Sequence, residues 1–416
     1  MGTTAREKLL RVLLGVAAAC VVVAASAPAP AYEIGHISAP FTDPDRGNRS
    51  VPTEIFYPAE AGGENAPIAP PPQGGFPVVS FGHGFLIPWD DYDFLWEGLV
   101  PAGYIVALPA TEQGLLPSHL EFGRDLAFVV RRIRAAGDDP GSPFYASVSS
   151  AGAVSGHSMG GGASLLGAAD DPSITAVANL AAAETNPSAI AAAAGITAPA
   201  LLFSGSNDCV TPLESHQIPM YGALASDCKT RITLDGASHC QFAEYNFTCS
   251  LGEGGCPSPT ITRQEQHDLT LSLLGPWLGY VLEGDLWSWF EFRSLLDGTP
   301  GVAYEQACEP ATVDEPVASG DADEARLVVS PASPNPFASR TRVSFTLVEP
   351  AEVAVRVYSM SGRLITTLTE GELPAGRHAV SWDGRDTARR HVASGVYRCR
   401  VEAGGSVESR TIVLLK

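Results

Sequence analysis

Gly156-His157-Ser158-Met159-Gly160 places a serine between two glycines, directly after the apolar run Ala153-Val154-Ser155 and directly before the small-residue stretch Gly161-Gly162-Ala163-Ser164-Leu165-Leu166. A serine on a sharp strand-to-helix turn projects its hydroxyl above a sheet, and the helix start behind it favours developing negative charge. A hydroxyl attacks a carbonyl only when a base takes its proton. In this arrangement the acid and the histidine follow later in the chain, in the order Ser, Asp, His. Asp208 follows Phe203-Ser204-Gly205-Ser206-Asn207, and His239 follows Asp235-Gly236-Ala237-Ser238. Both fall just past apolar strands, where open α/β sheets place their sites. The expected catalytic set is Ser158 as nucleophile, Asp208 as acid and His239 as base. Glu184 and Asp235 are the alternative acids. His216 falls on the short helix after Asp208, His267 reads as a surface or packing residue, and His157 points elsewhere. A tetrahedral intermediate needs two N–H donors. Met159, after the nucleophile, is one. Phe85, in the loop His83-Gly84-Phe85 after Val78–Phe81, is the other. Trp89 is a candidate for the substrate pocket, with Phe85 and Met159.

The elements that must position these residues alternate. Pro77–Phe81, Tyr104–Leu108, Ala153–Ser155, Ala200–Phe203 and Arg231–Leu234 are short apolar runs ended by glycine, proline or aspartate. Leu126, Val129, Val130 and Ile133 recur at helical spacing. Fully apolar strands separated by helices indicate a mostly parallel sheet with helices on both faces, an α/β fold. Thr211-Pro212-Leu213-Glu214 and Thr262-Arg263-Gln264-Glu265 both read as capping boxes that open helices, the first at Pro212.

The rest of the chain is organised around this unit. Residues 1–31 read as a signal peptide, with Arg6, Lys8 and Arg11 before an apolar stretch Val12–Ala25 and a small-residue cleavage site Ala29-Pro30-Ala31. That stretch falls short of the ~20 residues of a membrane span. Residues 32–309 hold the chemistry. Residues 310–324 are acidic and poor in large apolar side chains, as in an extended linker. In residues 325–416 the period changes to two: Val343, Phe345 and Leu347, then Val353, Val355 and Val357, alternate with other residues between turn signals at Ser361-Gly362, Ala375-Gly376, Asp383-Gly384 and Gly404-Gly405. This is the pattern of a small all-β sandwich.

The formal net charge is −20, with 45% hydrophobic and 17% charged residues. Such a chain repels phosphate backbones, so nucleic acid is excluded as a partner class. No cysteine or histidine spacing suggests a metal site, and no cofactor is expected. Eight cysteines are present. Cys20 falls in the leader, six lie between Cys209 and Cys308, and Cys399 reads as a buried, unpaired thiol. Export makes disulfides possible. Cys209 and Cys240 directly follow the acid and the base, so Cys209–Cys240 and Cys249–Cys256 are the expected bridges, with Cys228–Cys308 the remaining pair and Cys209–Cys228 excluded by distance.

Gly82-His83-Gly84-Phe85, Gly156-His157-Ser158-Met159-Gly160-Gly161, Gly205-Ser206-Asn207-Asp208 and Gly236-Ala237-Ser238-His239 together resemble the dienelactone-hydrolase, platelet-activating-factor acetylhydrolase and chlorophyllase-like branch of α/β-hydrolases, which bacterial cutinases and polyester hydrolases share. The resemblance spans residues 32–309 and implies a carboxylic ester hydrolase acting on a small-molecule or lipid-like ester through an acyl-enzyme. A peptidase or amidase on the same triad, or an inactive surface-binding module, are the alternatives. Polyester hydrolases usually carry a tryptophan after the strand that follows the nucleophile helix; Leu180–Asn186 has none. Ser333–Phe337, Val357–Arg363, Ala375–His378, Trp382–Asp386 and Ala393–Tyr397 resemble the immunoglobulin-like domain related to the flagellar hook-capping protein and are similar to type IX secretion sorting tails. That implies a bacterial protein, secreted or at the cell surface, whose last domain engages secretion or surface machinery.

Overall fold

A computed structural model describes residues 32–308 and, apart from 330–331, 333–334, 336, 338–339, 360–363, 393–394 and 405, residues 327–414. The expected leader, the linker at 310–324, the turn at Ser361-Gly362 and Gly405 of the turn at Gly404-Gly405 lie outside the described residues, as do most of Ser333–Phe337 and the first two residues of Ala393–Tyr397. The described residues form two compact bodies.

The larger body is built on a ten-stranded sheet. Its strands are β1 (Glu33–Asp43), β2 (Arg49–Ala59), β3 (Gly63–Glu64), β4 (Phe76–Gly82), β5 (Ile105–Pro109), β6 (Val148–His157), β7 (Ala176–Leu180), β8 (Ala200–Gly205), β9 (Cys228–Leu234) and β10 (Val302–Cys308), in the spatial order β10-β9-β8-β7-β6-β4-β5-β2-β1-β3. The run from β9 to β5 is parallel throughout, while β10 and the β1–β2 hairpin add antiparallel edges. This is the mostly parallel α/β sheet that the apolar runs predict.

Every residue of β4, β5, β7 and β8 is buried. Successive side chains point to opposite faces, so each strand feeds two cores: Val79 and Phe81 of β4 enter one, Phe76 and Val78 the other. Helices α1 (Asp93–Leu99), α2 (His119–Asp138), α3 (Met159–Asp170), α4 (Ala189–Ala193), α5 (Gln217–Ala223), α6 (Phe247–Gly252), α7 (Arg263–Glu283) and α8 (Leu286–Gly298) connect or follow the strands. Leu95 of α1, with Leu273 and Trp277 of α7, covers the first face; Leu126 and Val130 of α2, with Leu165 of α3, cover the second. The helical spacing of Leu126, Val129, Val130 and Ile133 thus marks a fully buried stripe. The capping box at Thr262 forms as expected: its hydroxyl accepts the Glu265 N–H, and the Glu265 carboxylate accepts the Thr262 N–H.

The β1–β2 hairpin is fastened to α2 by two carboxylates, Glu121, which pairs with Arg46 Nη1 at 3.2 Å, and the more deeply buried Asp125. Asp125 is fully buried and pairs with Arg46 Nη2 at 2.7 Å and Arg49 Nη2 at 2.7 Å, while the Thr111 hydroxyl donates to it at 2.7 Å. The smaller body has a three-stranded sheet, β11 (Leu327–Val329), β12 (Thr341–Leu347) and β15 (Gly376–Trp382), and a four-stranded one, β14 (Leu364–Leu373), β13 (Ala351–Ser359), β16 (Gly395–Ala403) and β17 (Ser406–Leu414). All pairings are antiparallel. The expected alternation sends Val343, Phe345 and Leu347 of one sheet and Val353, Val355 and Val357 of the other into one shared core around Trp382. Cys399 is unpaired and buried in that core, and burial pushes its thiol up to about 12.

Removing one partner from a buried ion pair costs about 3–5 kcal/mol, because charges are left uncompensated. Asp125→Ala is expected to destabilise the larger body by about 3 kcal/mol. Urea unfolding of the variant beside wild type measures it, and a loss under about 1 kcal/mol would mean that the hairpin does not depend on this pair.

Candidate active site

Between β6 and α3 the chain reverses at Ser158, which has φ 54° and ψ −117°. The Ser158 N–H donates to Leu180 O at 3.0 Å, and its carbonyl accepts the N–H groups of Gly162 at 3.1 Å and Ala183 at 2.8 Å. A side chain at Gly160 would overlap the carbonyl of Gly82, so only glycine lets α3 start this close to the end of β4. The serine hydroxyl is thereby presented past the C-terminal ends of the parallel strands.

The loops after β8 and β9 meet it there. His239 Nε2 lies 2.9 Å from Ser158 Oγ, and His239 Nδ1 lies 2.8 Å from Asp208 Oδ2. All three residues are buried, Ser158 at 8% exposure and His239 at 2%. Asp208 Oδ1 also accepts the N–H groups of Val210 and Thr211, each at 2.8 Å, and Oδ2 accepts the Thr211 hydroxyl at 2.7 Å. Burial alone would raise the Asp208 carboxyl. The hydrogen bond and charge of His239, with the two hydrogen bonds from Thr211, outweigh it and hold the group at about 2. An ionised Asp208 beside Nδ1 favours the proton on that nitrogen and leaves Nε2 to accept the serine proton.

Thr211 is the residue that sequence reasoning misses. Its expected role was to cap a helix beginning at Pro212, but Pro212–His216 is non-helical and α5 begins at Gln217. The hydroxyl is already committed to Asp208, so the cap is not made. The spacing Asp208-x-x-Thr211, an aspartate bonding N–H and O–H groups two and three residues on, is a local turn signal that could have identified it.

The other expected residues are placed as follows. Glu184 accepts the Ile190 N–H at 2.9 Å and Asp235 bonds the Ser206 hydroxyl at 3.1 Å, so neither alternative acid meets His239. His216 accepts the Glu184 N–H at 2.8 Å, and His267 is buried against the Phe94 ring at 3.8 Å between centroids. Met159 opens α3, where a backbone N–H has no carbonyl one turn behind it. Phe85 lies in the turn after β4 with its side chain exposed. Trp89 has its ring contacts with Phe56 and Trp96, not with the three central residues.

The cysteine pairing agrees with expectation at Cys228–Cys308 and differs at the other two bridges. The bridges are Cys209–Cys256, Cys240–Cys249 and Cys228–Cys308. Cys228 and Cys308 meet because β9 and β10 pair in a register that sets them opposite each other. Cys209 and Cys240 do not join. The segment carrying Cys249 and Cys256 is pinned to both loops, the Cys240 N–H donating to the Glu253 carboxylate at 2.8 Å and the Asn207 side chain to the Ser258 carbonyl at 2.7 Å, so each cysteine finds its partner there.

This sheet, with a serine on the turn after its central strand and histidine and aspartate on neighbouring loops, defines an α/β-hydrolase. Residues 52–253, which include Ser158, Asp208 and His239, match the family model described as PET hydrolase-like, and residues 333–406 match the FlgD Ig-like domain. The chain therefore carries a PET hydrolase-like domain followed by an Ig-like one. No curated protein matches it.

Asp208 is held below its ordinary value of 3.8, at about 2. A depressed carboxyl contributes stability that is complete above the unfolded value and is lost as pH falls through the folded one. The shift corresponds to about 2 kcal/mol. Asp208→Asn should therefore show a stability profile flatter than wild type between about pH 4 and 2, by about that amount. Equal slopes in acid unfolding experiments would contradict the assigned electrostatics.

Proposed function

We propose that the PET hydrolase-like domain is a secreted carboxylic ester hydrolase working through an acyl-enzyme. The observation that carries this reading is the continuous chain Asp208–His239–Ser158, with contacts of 2.8 and 2.9 Å, on the nucleophile turn of the sheet. Ser158 Oγ attacks the ester carbonyl as His239 Nε2 takes its proton, and the same nitrogen then protonates the leaving alcohol. Water repeats the sequence on the acyl-enzyme. The N–H groups of Phe85 and Met159 stabilise the oxyanion. Phe85 and Trp89 border the acyl or alcohol pocket. Phe85, Val210, Tyr245 and Phe247 are exposed apolar side chains on the loops after β4, β8 and β9, which favours an apolar, lipid-like ester over a charged one.

Three disulfides favour an extracellular location. In this reading residues 1–31 direct export, 310–324 are a linker, and 325–416 serve sorting or surface attachment in a bacterium. The kinship of the catalytic domain with dienelactone-hydrolase-like esterases, and of the tail with type IX sorting domains, belongs to the same proposal.

Ser158→Ala is expected to lower turnover of p-nitrophenyl esters by more than about 10³-fold and to abolish fluorophosphonate labelling, with the melting temperature unchanged. Retention of a tenth of wild-type turnover would remove Ser158 from its role, and faster cleavage of an aminoacyl anilide than of every ester would replace the esterase by an amidase. A chain of residues 32–309 is expected to fold and to keep the full chain's kcat within about twofold; loss of soluble activity would mean that the Ig-like domain completes the catalytic one.

A further inference from the structure

Tyr92 stands outside the catalytic set, yet its hydroxyl reaches both sides of it. The side chain is fully buried. Its Oη accepts the Gly84 N–H at 2.8 Å and lies 2.9 Å from His157 Nδ1. With the oxygen accepting from an amide, its own proton has Nδ1 within reach, and in that arrangement a neutral His157 carries its hydrogen on Nε2. Burial keeps His157 neutral, well below its ordinary range, and His239 adds to the effect while Asp208 and the His239 carbonyl oppose it. The His157 ring packs on His239 with centroids 4.6 Å apart.

The two residues that Tyr92 joins are strategic. His157 is the last residue of β6, bonded to Ser158. Gly84 precedes Phe85, and the Gly84 carbonyl and the Phe85 N–H share one rigid peptide plane, pointing in opposite directions. That carbonyl is held by the Ile87 N–H at 3.2 Å and lies 2.9 Å from His83 Nδ1. Tyr92 fixes the plane on the other side of Gly84. A Cβ at Gly84 would come within 3.1 Å of Tyr92 Oη and 3.2 Å of His157 Nδ1, so the phenol and the imidazole lie directly over the glycine.

We infer that Tyr92 is a positioning residue that sets the Phe85 N–H against the nucleophile turn, by joining the Gly84 amide to His157 through one hydroxyl. The inference rests on the ester-hydrolase reading. It assigns Tyr92 no contact with substrate: its effect is on how well the oxyanion is held, and so falls on kcat.

Tyr92→Phe keeps the ring and removes the hydroxyl. Its expected effect is a fall of about 10- to 100-fold in kcat for a p-nitrophenyl ester, with KM changed less than about threefold, since loss of one oxyanion donor outright costs more. The discriminating readout is the matching thionoester. Sulfur accepts hydrogen bonds poorly, so the rate ratio of ester to thionoester should fall by about tenfold in Tyr92→Phe, whereas general loosening lowers both rates together. His157→Asn retains an acceptor near the Nδ1 position and should turn over about tenfold faster than His157→Leu. The double variant Tyr92→Phe/His157→Leu should be no slower than the slower single one. An unchanged ester-to-thionoester ratio in Tyr92→Phe overturns the inference. If that variant does not fold, equal rates of His157→Asn and His157→Leu overturn it instead. With wild type active and Ser158→Ala inactive, these failures count against Tyr92 alone; a wild type that cleaves neither ester sinks both this inference and the esterase reading.

Discussion

The backbone of Ser158 is the constraint from which the rest of the larger body follows. A non-glycine residue at φ 54° and ψ −117° is in a sparsely populated region, at a cost of about 1–3 kcal/mol. It persists because its N–H and carbonyl are both held from β7 and α3, through Leu180, Gly162 and Ala183. Those bonds require β7 beside β6 and a helix start within a residue of the strand end. They also require small side chains around the turn, which is why glycine and alanine fill positions 160–163 and 181–183. The same crowding leaves little space in Leu180–Asn186 for a tryptophan near the turn.

Once the serine is fixed, the sheet order delivers its partners. β8 and β9 are parallel neighbours, so the loops after them emerge at one edge, and Asp208 and His239 reach each other without a long excursion. The carboxylate then takes four hydrogen bonds, three of them from its own loop. Its charge is stabilised first by the histidine and then by the Thr211 hydrogen bonds of its own loop.

Much of this was legible in the residues. Apolar runs such as Val78–Phe81 and Ala200–Phe203 have no polar side to solvate, so they identify strands covered on both faces. The glycines around Ser158 identify a turn that admits nothing larger. What escaped detection depends on competition between partners. Thr211 carries the full signature of a helix cap, and only the three-dimensional proximity of Asp208 diverts its hydroxyl. The cysteine pairing escaped for a related reason. Adjacency of Cys209 and Cys240 to residues whose side chains touch does not make the cysteines meet, because a third segment, carrying Cys249 and Cys256, is held against both loops. Tyr92 gives no signal at all in the chain. Its meaning comes from meeting, 65 positions on, a histidine next to the nucleophile.

The two bridges beside Asp208 and His239 have a consequence for how the chain matures. Cys209 and Cys240 are both joined to a short stretch that follows them, at separations of 47 and 9 residues. The loop that carries His239 cannot be tethered until synthesis has passed Cys249, nor the loop that carries Asp208 until it has passed Cys256. The parallel strands end with β9 at Leu234, before either of these partners, and β9's own bridge runs from Cys228 to Cys308 on β10. In order of synthesis, the parallel scaffold is therefore complete before the loops that carry Asp208 and His239 can be fastened by oxidation.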